Sequence, residues 1–261
     1  MIKALYLDAS NQLWVGLTDS LVVVRQNNKG KRLMVPVSRI YQDSFSRVRK
    51  VLKMLEFDNL FWIATQQDGL YVFQEEDGSY RLHKHFHTND QYNTFEDNRV
   101  STIVADNDSN LWIGTYKGLY RLSQNDTVPV NLTNLLDEKN ALLCDIILDC
   151  YVDVSGNIWF GTPCSLNSLS KTSKGTYQHK QYTNKDGFTD DYVNAVTEGD
   201  GYIWISTNAS ISRLNPATDE IQNYDVSDGV GGYNFAEGAC TKSDDGTIYF
   251  GGYTDLTFFN P

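Results

Sequence analysis

The feature that most constrains the fold is an aromatic residue that recurs in the same sequence context every 45 to 50 residues. The five tryptophans are 48, 50, 47 and 45 residues apart, and a tyrosine follows after another 45. These aromatic residues are Trp14, Trp62, Trp112, Trp159, Trp204 and Tyr249. A tiny residue, Gly, Ala or Ser, stands two positions after each of them. Self-similarity at a fixed period of this length indicates a repeat architecture.

Each repeat consists of short apolar runs separated by turn residues. In the third copy, RVSTIVAD leads through the turn DNDSN to LWIGT, and a two-residue turn then leads to GLYRL. A more polar fourth run, such as YRLHKHFH, follows in several copies. Asp, Asn and Gly between the runs are typical of tight hairpins. The pattern predicts four-stranded antiparallel meanders, and runs this short and β-branched argue against a helical solenoid.

The aromatic strand of each repeat is apolar on both faces, because Leu111, Trp112 and Ile113 follow one another. A meander with one face in water would alternate apolar and polar residues instead. Radial stacking of sheets around an axis covers both faces, and the tiny residues allow backbones to approach closely. We therefore predict an all-β fold, a β-propeller of four-stranded antiparallel blades.

We expect a single propeller region over residues 1–261. Its six blade motifs lie near residues 4–24, 51–73, 99–122, 143–169, 191–214 and 235–259. The first motif starts at its innermost strand and the last ends after its third strand. The pattern favours a section of a larger propeller, seven-bladed or double, over a six-bladed ring with unusual closure.

Charge and cysteine content exclude several function classes. The formal net charge of −11 argues against a nucleic-acid-binding surface, and no stretch approaches the roughly 20 apolar residues of a membrane span. The cysteines lack the CxxC spacing of zinc and redox sites. They are Cys144, Cys150, Cys164 and Cys240. We interpret them as small buried or half-buried residues. Cys144 and Cys150 are placed on one strand, too far apart to form a disulfide with each other. The possibility of one disulfide among the four is left open.

Several segments resemble a known repeat. NLWIGTYKGLYRL (110–122), YTNKDGF (182–188) and YDVSDGV (224–230) are similar to the two-component regulator propeller repeat, found in the periplasmic sensor region of Bacteroidetes hybrid two-component systems. Three copies depart from the pattern, with Ser20, Ser165 or Ser210 in place of the second glycine. We expect differently shaped turns there.

The resemblance implies a noncatalytic, periplasmic sensor domain. It would detect an oligosaccharide, or support its recognition by another part of the parent protein, and relay the signal to a histidine kinase that controls polysaccharide-utilisation genes. The implied partners are this ligand, further blades and an immunoglobulin-like domain of the parent protein, and a second copy of the chain. No cofactor is implied. The alternatives are a structural or dimerisation propeller that binds no ligand and, less favoured, a propeller enzyme that acts on carbohydrate.

Two motifs have the spacing of metal sites, but hairpin and edge-strand roles explain them better. DNDSN matches the first positions of a calcium loop, yet Lys117 stands where the last ligand should be. His83, His85 and His87 alternate in HKHFH, so we place them on the solvent face of an outermost strand, with Leu82 and Phe86 facing inward. We therefore predict no metal site.

No catalytic set stands out in the sequence. His179 is the only histidine outside that cluster, and it too falls on an outer strand, which argues against a Ser-His-Asp triad at the axis. Four carboxylates approach one rim and leave glycosidase or lyase chemistry open, although loop solvation is the commoner explanation for such residues. They are Asp97, Asp145, Asp190 and Asp191.

The ligand-binding hypothesis falls on one rim of the propeller. The turn between the second and third strands of a blade and the crossover into a blade should lie on the same face. Aromatic rings stack on sugars, while amides and guanidinium groups bond hydroxyls. The candidate ligand-binding residues are Gln66, Gln67, Asn98, Arg99, Tyr116, Lys117, Tyr192, Asn194, Asn208, Tyr233, Asn234 and Tyr253.

Overall fold

A computed structural model of the chain shows six antiparallel sheets of consecutive strands, which confirms the predicted all-β propeller. It describes residues 2–27, 29–41, 45, 47–92, 94–124, 126–133 and 141–261. Successive inner strands contact one another, in the order β1, β5, β9, β13, β17 and β21. No helix among the described residues is long and apolar enough to cross a membrane.

The first three blades are four-stranded meanders. Blade 1 consists of β1 (Ile2–Leu7), β2 (Leu13–Leu17), β3 (Leu21–Gln26) and β4 (Arg32–Pro36). Blade 2 consists of β5 (Val51–Phe57), β6 (Leu60–Thr65), β7 (Leu70–Glu76) and β8 (Ser79–Phe86). Blade 3 consists of β9 (Val100–Ala105), β10 (Leu111–Thr115), β11 (Gly118–Leu122) and β12 (Val130–Asn131). A single helical turn, α1 (Val37–Ile40), follows blade 1.

Blades 4 and 5 repeat this arrangement, whereas blade 6 has three strands among the described residues. Blade 4 consists of β13 (Asp149–Val152), β14 (Ile158–Thr162), β15 (Ser165–Lys171) and β16 (Tyr177–Tyr182). Blade 5 consists of β17 (Val193–Gly199), β18 (Tyr202–Thr207), β19 (Ile211–Leu214) and β20 (Ile221–Tyr224). Blade 6 consists of β21 (Phe235–Lys242), β22 (Ile248–Gly252) and β23 (Leu256–Phe259). The crossovers after blades 4 and 5 contain the 3₁₀ turns Asn184–Asp186 and Val226–Asp228.

The tiny residue after the aromatic lies where one blade meets the next. A Cβ atom on Gly161 would stand 2.6 Å from both the carbonyl oxygen and Cγ1 of Val193, at the start of blade 5. A Cβ on Gly114 would stand 2.7 Å from Ile147, in the segment that enters blade 4. Both distances are too short for a carbon atom. The sequence pattern therefore reflects the close approach of neighbouring blades, as predicted.

A carboxylate six residues before the tryptophan anchors three of the blades. The indole nitrogens of Trp14, Trp112 and Trp159 each donate to such an aspartate at 2.8 Å. The other oxygen of Asp106 accepts from the backbone nitrogens of Asp108 and Asn110, within the DNDSN turn. One side chain thus shapes the hairpin and fixes the indole, and the hairpin interpretation of this motif is confirmed.

The outermost strand of blade 2 differs from the prediction in two respects. His85, placed on the solvent face, is half-buried and stacks on Tyr71, and Leu82 does not share the face of Phe86. Val72 pairs with Lys84 but Phe73 pairs with Leu82, so a residue is bulged out between these pairs. The bulge reverses which face each side chain takes. Phe86 is buried as predicted, whereas Leu82 is 50% exposed. Leu82 therefore lies on the opposite face from Phe86. It shares its face with Tyr80, which packs against the core between blades 1 and 2.

Two glycine substitutions test the packing between blades. Gly161→Ala should destabilise the fold by about 2 kcal/mol, because the new methyl group meets the Val193 backbone. Gly251→Ala is the matched control, since a Cβ there meets only Ala239 of the same blade, at 3.3 Å. Its cost should stay below about 1 kcal/mol. Equal urea midpoints for the two variants would contradict this account.

Candidate binding rim and axial mouth

The predicted meeting of two kinds of loop on one rim is confirmed by backbone hydrogen bonds. The turn between the second and third strands of a blade donates to the segment that enters the same blade. The Gln66 amide donates to the carbonyl of Lys50 at 3.0 Å, and the Tyr116 amide donates to that of Arg99 at 3.1 Å. In blade 6 the Tyr253 amide donates to the carbonyl of Asn234 at 3.4 Å.

A threonine at the end of the second strand holds each rim turn in four blades. The hydroxyl of Thr115 donates to the Gly118 carbonyl at 2.9 Å, and it accepts from the Lys117 amide. The hydroxyls of Thr162 and Thr207 make the same bonds to the carbonyls of Ser165 and Ser210, and Thr65 bonds Gly69 likewise. The expectation of differently shaped turns is nevertheless confirmed for blades 4 and 5. Gly69 and Gly118 have positive φ angles of 77° and 108°, whereas the serines that replace the glycine, Ser165 and Ser210, do not.

Three predicted residues come together at the mouth of the propeller axis. Gln66, Tyr116 and Tyr253 line one cavity of about 410 Å³. Lys3, Lys53 and Ser101 of the inner strands and Glu237 at the start of blade 6 also line it. A phenol ring, an amide, amines and a carboxylate thus face a common space. We call this cavity the axial mouth.

Glu237 bonds two of the predicted tyrosines. Its carboxylate accepts from the Tyr192 hydroxyl at 2.8 Å and from the Tyr116 hydroxyl at 3.4 Å. Burial raises the pKa of both phenols, and the negative charge of Glu237 raises it further. Both tyrosines therefore remain hydroxyl donors at neutral pH. The sequence analysis missed Glu237, since a single glutamate at a strand start carries no pattern of its own.

Arg99 is fixed beside this pair. Its guanidinium lies 4.4 Å from the centre of the Tyr116 ring and bonds both carboxylate oxygens of Asp97. The hydrogen bonds from Arg99 are the main cause of the lowered pKa of Asp97. Lys117 lies 3.8 Å from Asp145 in an exposed ion pair. Arg99 and Tyr116 thus form a stacked, charged platform at the rim.

The remaining predicted residues do not line the axial mouth. Asn194 is buried and donates to the Asn208 side chain at 3.0 Å, while Asn98 bonds the backbone and hydroxyl of Thr88. The Asn234 amide donates to the Asn208 carbonyl. These asparagines stabilise the loops themselves. Tyr233 and Gln67 are exposed on the rim.

Below the mouth, a buried carboxylate links five of the six blades. Asp149 of blade 4 is 1% exposed. It accepts from the Thr102 hydroxyl of blade 3 at 3.2 Å and from the Val196 amide of blade 5 at 3.1 Å. The Lys53 ammonium of blade 2 and the Cys240 thiol of blade 6 each lie 3.7 Å from it. The attraction of Asp149 raises the pKa of Lys53, whereas burial raises that of the Cys240 thiol.

A disulfide joins the two rim loops of blade 4. Cys144 precedes β13 and pairs with Cys164 in the turn between β14 and β15, with their Cα atoms 5.8 Å apart. Placing Cys144 and Cys150 on one strand was wrong, because β13 begins at Asp149. The expectation that these two do not bridge is confirmed. Cys150 and Cys240 are free thiols.

The sequence candidates for catalysis and metal binding have structural partners. His179 lies on β16, stacks on Phe160 and bonds the Asn167 side chain at 3.0 Å. His85 stacks on Tyr71 at 3.9 Å and bonds the Asp68 carbonyl, and burial lowers its pKa. Within the part of the chain that the structure describes, no three His, Cys, Asp or Glu residues are grouped as metal ligands.

Residues 94–117, which span the Arg99 and Tyr116 platform, match the family model described as two component regulator propeller. The chain carries a two-component regulator propeller repeat. A curated relative, Histidine kinase P4 of Formosa agariphila, is 26% identical over 210 residues, or 79% of this chain. The chain spans only 15% of that relative's length.

Solved structures with the same fold include sensor proteins and enzymes. The extracellular domain of BT3049 from B. thetaiotaomicron, assigned as a hybrid two component system, matches the whole chain with a TM-score of 0.79 and 23% identity. This chain covers 33% of it. Virginiamycin B lyase from Staphylococcus aureus matches with a TM-score of 0.65 and 11% identity, and 84% of it is covered. At these identities the likeness shows the fold alone.

The disulfide gives a direct test of the blade 4 rim. Denatured, unreduced protein should show two reactive thiols out of four cysteines, and all four should react after reduction. Replacing both Cys144 and Cys164 by serine should cost about 3 kcal/mol for a cross-link that closes 20 residues. Reduced wild-type protein is the matched control and should unfold at the same urea midpoint as the double variant. Four reactive thiols before reduction would contradict the pairing.

The axial ion pair gives a second test. Asp149→Ala should destabilise the fold by about 3 kcal/mol, because it leaves the Lys53 ammonium and the Thr102 hydroxyl without their acceptor. Lys53→Met should lower the free energy of unfolding by less than Asp149→Ala does. The Asp149 carboxylate keeps its other donors in that variant, and the lysine it loses is partly solvated.

The same pair predicts a pH dependence. Because the folded-state pKa of Lys53 is raised, its stabilising contribution is complete below the ordinary lysine value of 10.5 and is lost at higher pH. The stability difference between wild type and Lys53→Met should therefore shrink above that pH. If the difference in unfolding free energy between wild type and Lys53→Met stayed constant from pH 7 to 11.5, the ion pair between Lys53 and Asp149 would be contradicted.

Proposed function

We propose that this chain is a noncatalytic, extracytoplasmic sensor region of a hybrid two-component system, and that it binds an oligosaccharide at the axial mouth. Binding would be relayed to a histidine kinase that controls polysaccharide-utilisation genes. The observation that carries the ligand proposal is the convergence of Tyr116, Tyr253, Gln66 and Glu237 on one cavity of about 410 Å³. A cavity of this size suits one or two sugar rings.

The chemistry of the mouth favours a carbohydrate. The exposed ring of Tyr253 offers an apolar face for stacking, and the Gln66 amide can both donate and accept hydrogen bonds. The Glu237 carboxylate accepts a hydrogen bond from the Tyr192 hydroxyl at 2.8 Å and a longer one from Tyr116, and it can accept the same kind of bond from sugar hydroxyls. Tyr116 is held by Arg99, so its ring is ordered before a ligand arrives.

Three observations support the extracytoplasmic, two-component assignment. The matched repeat family and the Formosa agariphila histidine kinase belong to two-component signalling. The BT3049 structure is an extracellular domain. The Cys144–Cys164 disulfide fits an oxidising compartment such as the periplasm.

A specific observation also favours a second function, an interaction module. Large apolar side chains are exposed on the facing surfaces of blades 1 and 6, where Leu5 is 63% and Phe258 is 63% exposed. Exposed apolar patches of this kind mark interaction sites. Partners would be other parts of the parent sensor or a second copy. A carbohydrate-active enzyme is supported only by likeness of fold to the lyases.

Ligand binding can be tested with a panel of host and plant oligosaccharides. At a ligand concentration of 100 times Kd, binding adds about 2.7 kcal/mol, so one member should raise the Tm by about 5 °C. Tyr116→Ala should weaken its Kd about tenfold by removing the ordered ring and one donor to Glu237. Calorimetry gives both Kd values.

The control is Val154→Ala, an exposed residue in the turn between β13 and β14, on the opposite face of the propeller. It should leave the Kd unchanged. If no oligosaccharide shifts the Tm or gives heat, the chain does not sense glycans directly. If Val154→Ala rather than Tyr116→Ala weakens binding, the site lies on the opposite face.

A further inference from the structure

A second cavity lies between blades 1 and 2, on the face of the propeller opposite the axial mouth. It has a volume of about 480 Å³ and is bordered by the turns that follow β1, β5 and β7. Four carboxylates line it, whereas none of the described lysines or arginines does. We call it the acidic cavity, and its carboxylates are those of Glu56, Asp58, Glu75 and Asp77.

Local structure accounts for three of the four carboxylates but not for the fourth. Asp58 and Asp77 have positive φ angles of 54° and 52° in tight hairpin turns, where aspartate is a common residue. One carboxylate oxygen of Glu56 accepts a hydrogen bond from the Ala9 amide at 3.1 Å, which joins blade 2 to blade 1. Among the described residues, the Glu75 carboxylate has neither a hydrogen-bond donor nor an ion-pair partner. Its charge is therefore not used by the fold.

Elsewhere on this face, a lysine of a neighbouring blade pairs with the acidic turn. Lys180 of blade 4 pairs with Asp219 of blade 5, and Lys171 of blade 4 pairs with Asp108 of blade 3. At the acidic cavity no described lysine or arginine takes this position. The cavity therefore keeps an excess of negative charge that a cationic ligand can neutralise.

A buried hydroxyl also faces the acidic cavity. Tyr80 lines it and is only 7% exposed, with its ring packed edge to face on Trp14. Burial raises the pKa of Tyr80, and the negative charges of Glu75 and Glu56 raise it further, so the hydroxyl end lies toward these carboxylates. Among the described residues, this hydroxyl makes no hydrogen bond. Buried hydroxyls are normally hydrogen-bonded, so this one indicates a polar ligand group in the cavity.

We propose that the acidic cavity binds an aliphatic cation that carries two or more ammonium groups. The four carboxylates belong to separate strands and turns, and no three acidic, histidine or cysteine residues in the described part of the chain are grouped around a single metal position. An extended cation reaches several of them at once. A cavity of about 480 Å³ suits a small organic molecule of this kind.

The lining assigns a role to each part of such a ligand. The methylene groups pack against the rings of Phe57 and Phe61, which line the cavity between the carboxylates. One ammonium group lies at Glu75 and donates to the hydroxyl oxygen of Tyr80, whose own proton is donated to a carboxylate. The site goes beyond the proposed sensing of oligosaccharides and does not depend on it, because the axial mouth lies on the other face.

Calorimetry on the 261-residue chain tests the site with spermidine, a linear triamine. Spermidine should bind at low salt with a Kd on the order of 0.1 mM, because each exposed ion pair contributes little. The Kd should rise with salt, which screens the charges. Hexylamine has one ammonium group and should bind at least about tenfold more weakly, whereas 1,6-diaminohexane should bind within about threefold of spermidine.

Two isosteric variants test the residues that carry the proposal. Glu75→Gln should weaken spermidine binding about tenfold, because it removes a charge that the fold does not use. Tyr80→Phe should weaken binding about fivefold and leave the Tm within a few degrees of wild type. The phenyl ring keeps the packing on Trp14, and the lost hydroxyl has no partner in the fold. A purely structural tyrosine would leave the Kd unchanged.

Glu76→Gln is the matched control. Glu76 follows Glu75 on β7 and carries the same charge, but it pairs with Arg81 at 3.2 Å and does not line the acidic cavity. The variant should leave the Kd for spermidine unchanged. Oligosaccharide binding at the axial mouth should be the same in wild type and in all three variants, so a failure of this proposal leaves the proposed sensor function intact.

Three outcomes would overturn the proposal. The first is no heat and no Tm shift with millimolar spermidine at low salt. The second is equal weakening by Glu75→Gln and Glu76→Gln, which would show that spermidine associates with the acidic surface in general. The third is a Tm shift with calcium chloride that Glu75→Gln abolishes while spermidine has no effect, which would make the cavity a metal site.

Discussion

The whole structure depends on the need of each blade to bury both of its faces. A sheet whose middle strand is apolar on both sides, as β10 is, cannot be stable alone in water. It becomes stable when neighbouring blades cover it, and the tiny residue after each tryptophan sets how closely they approach. The aspartate bonds that hold Trp14, Trp112 and Trp159 place the indoles where the next blade can pack on them.

The framework leaves the rim free to carry recognition. The hydroxyls of Thr115 and Thr162 close their turns with bonds inside the turn, so closure does not depend on the side chains at the turn tips. The axis has the opposite character, since Asp149 joins five blades through its donors and its ion pair with Lys53. The axial mouth therefore combines variable residues of the rim turns with the hydrogen-bonded cluster around Asp149 below them. Glu237 connects the two by holding tyrosines from blades 3 and 5.

The predictions held where a pattern repeats and failed where a contact is made once. The tryptophan register predicted the blades, and the turn positions predicted that Gln66, Tyr116 and Tyr253 share one face. The inward position of Leu82 was wrong because one bulged residue reverses the faces of β8. Cys144 was assigned to a strand because nothing in its neighbourhood marks the start of β13. Asp149 and Glu237 were missed, since each is a single acidic residue whose partners come from strands tens of residues away.

The sequence by itself determined the fold class, the number and register of the blades in this chain, and the rim on which variable residues lie, because these follow from local periodicity and turn chemistry. Only the tertiary structure decided which residues meet at the axis and which cysteines pair. Those contacts depend on how far each blade is rotated against the next. That rotation results from packing between the successive blades, and no single repeat encodes it.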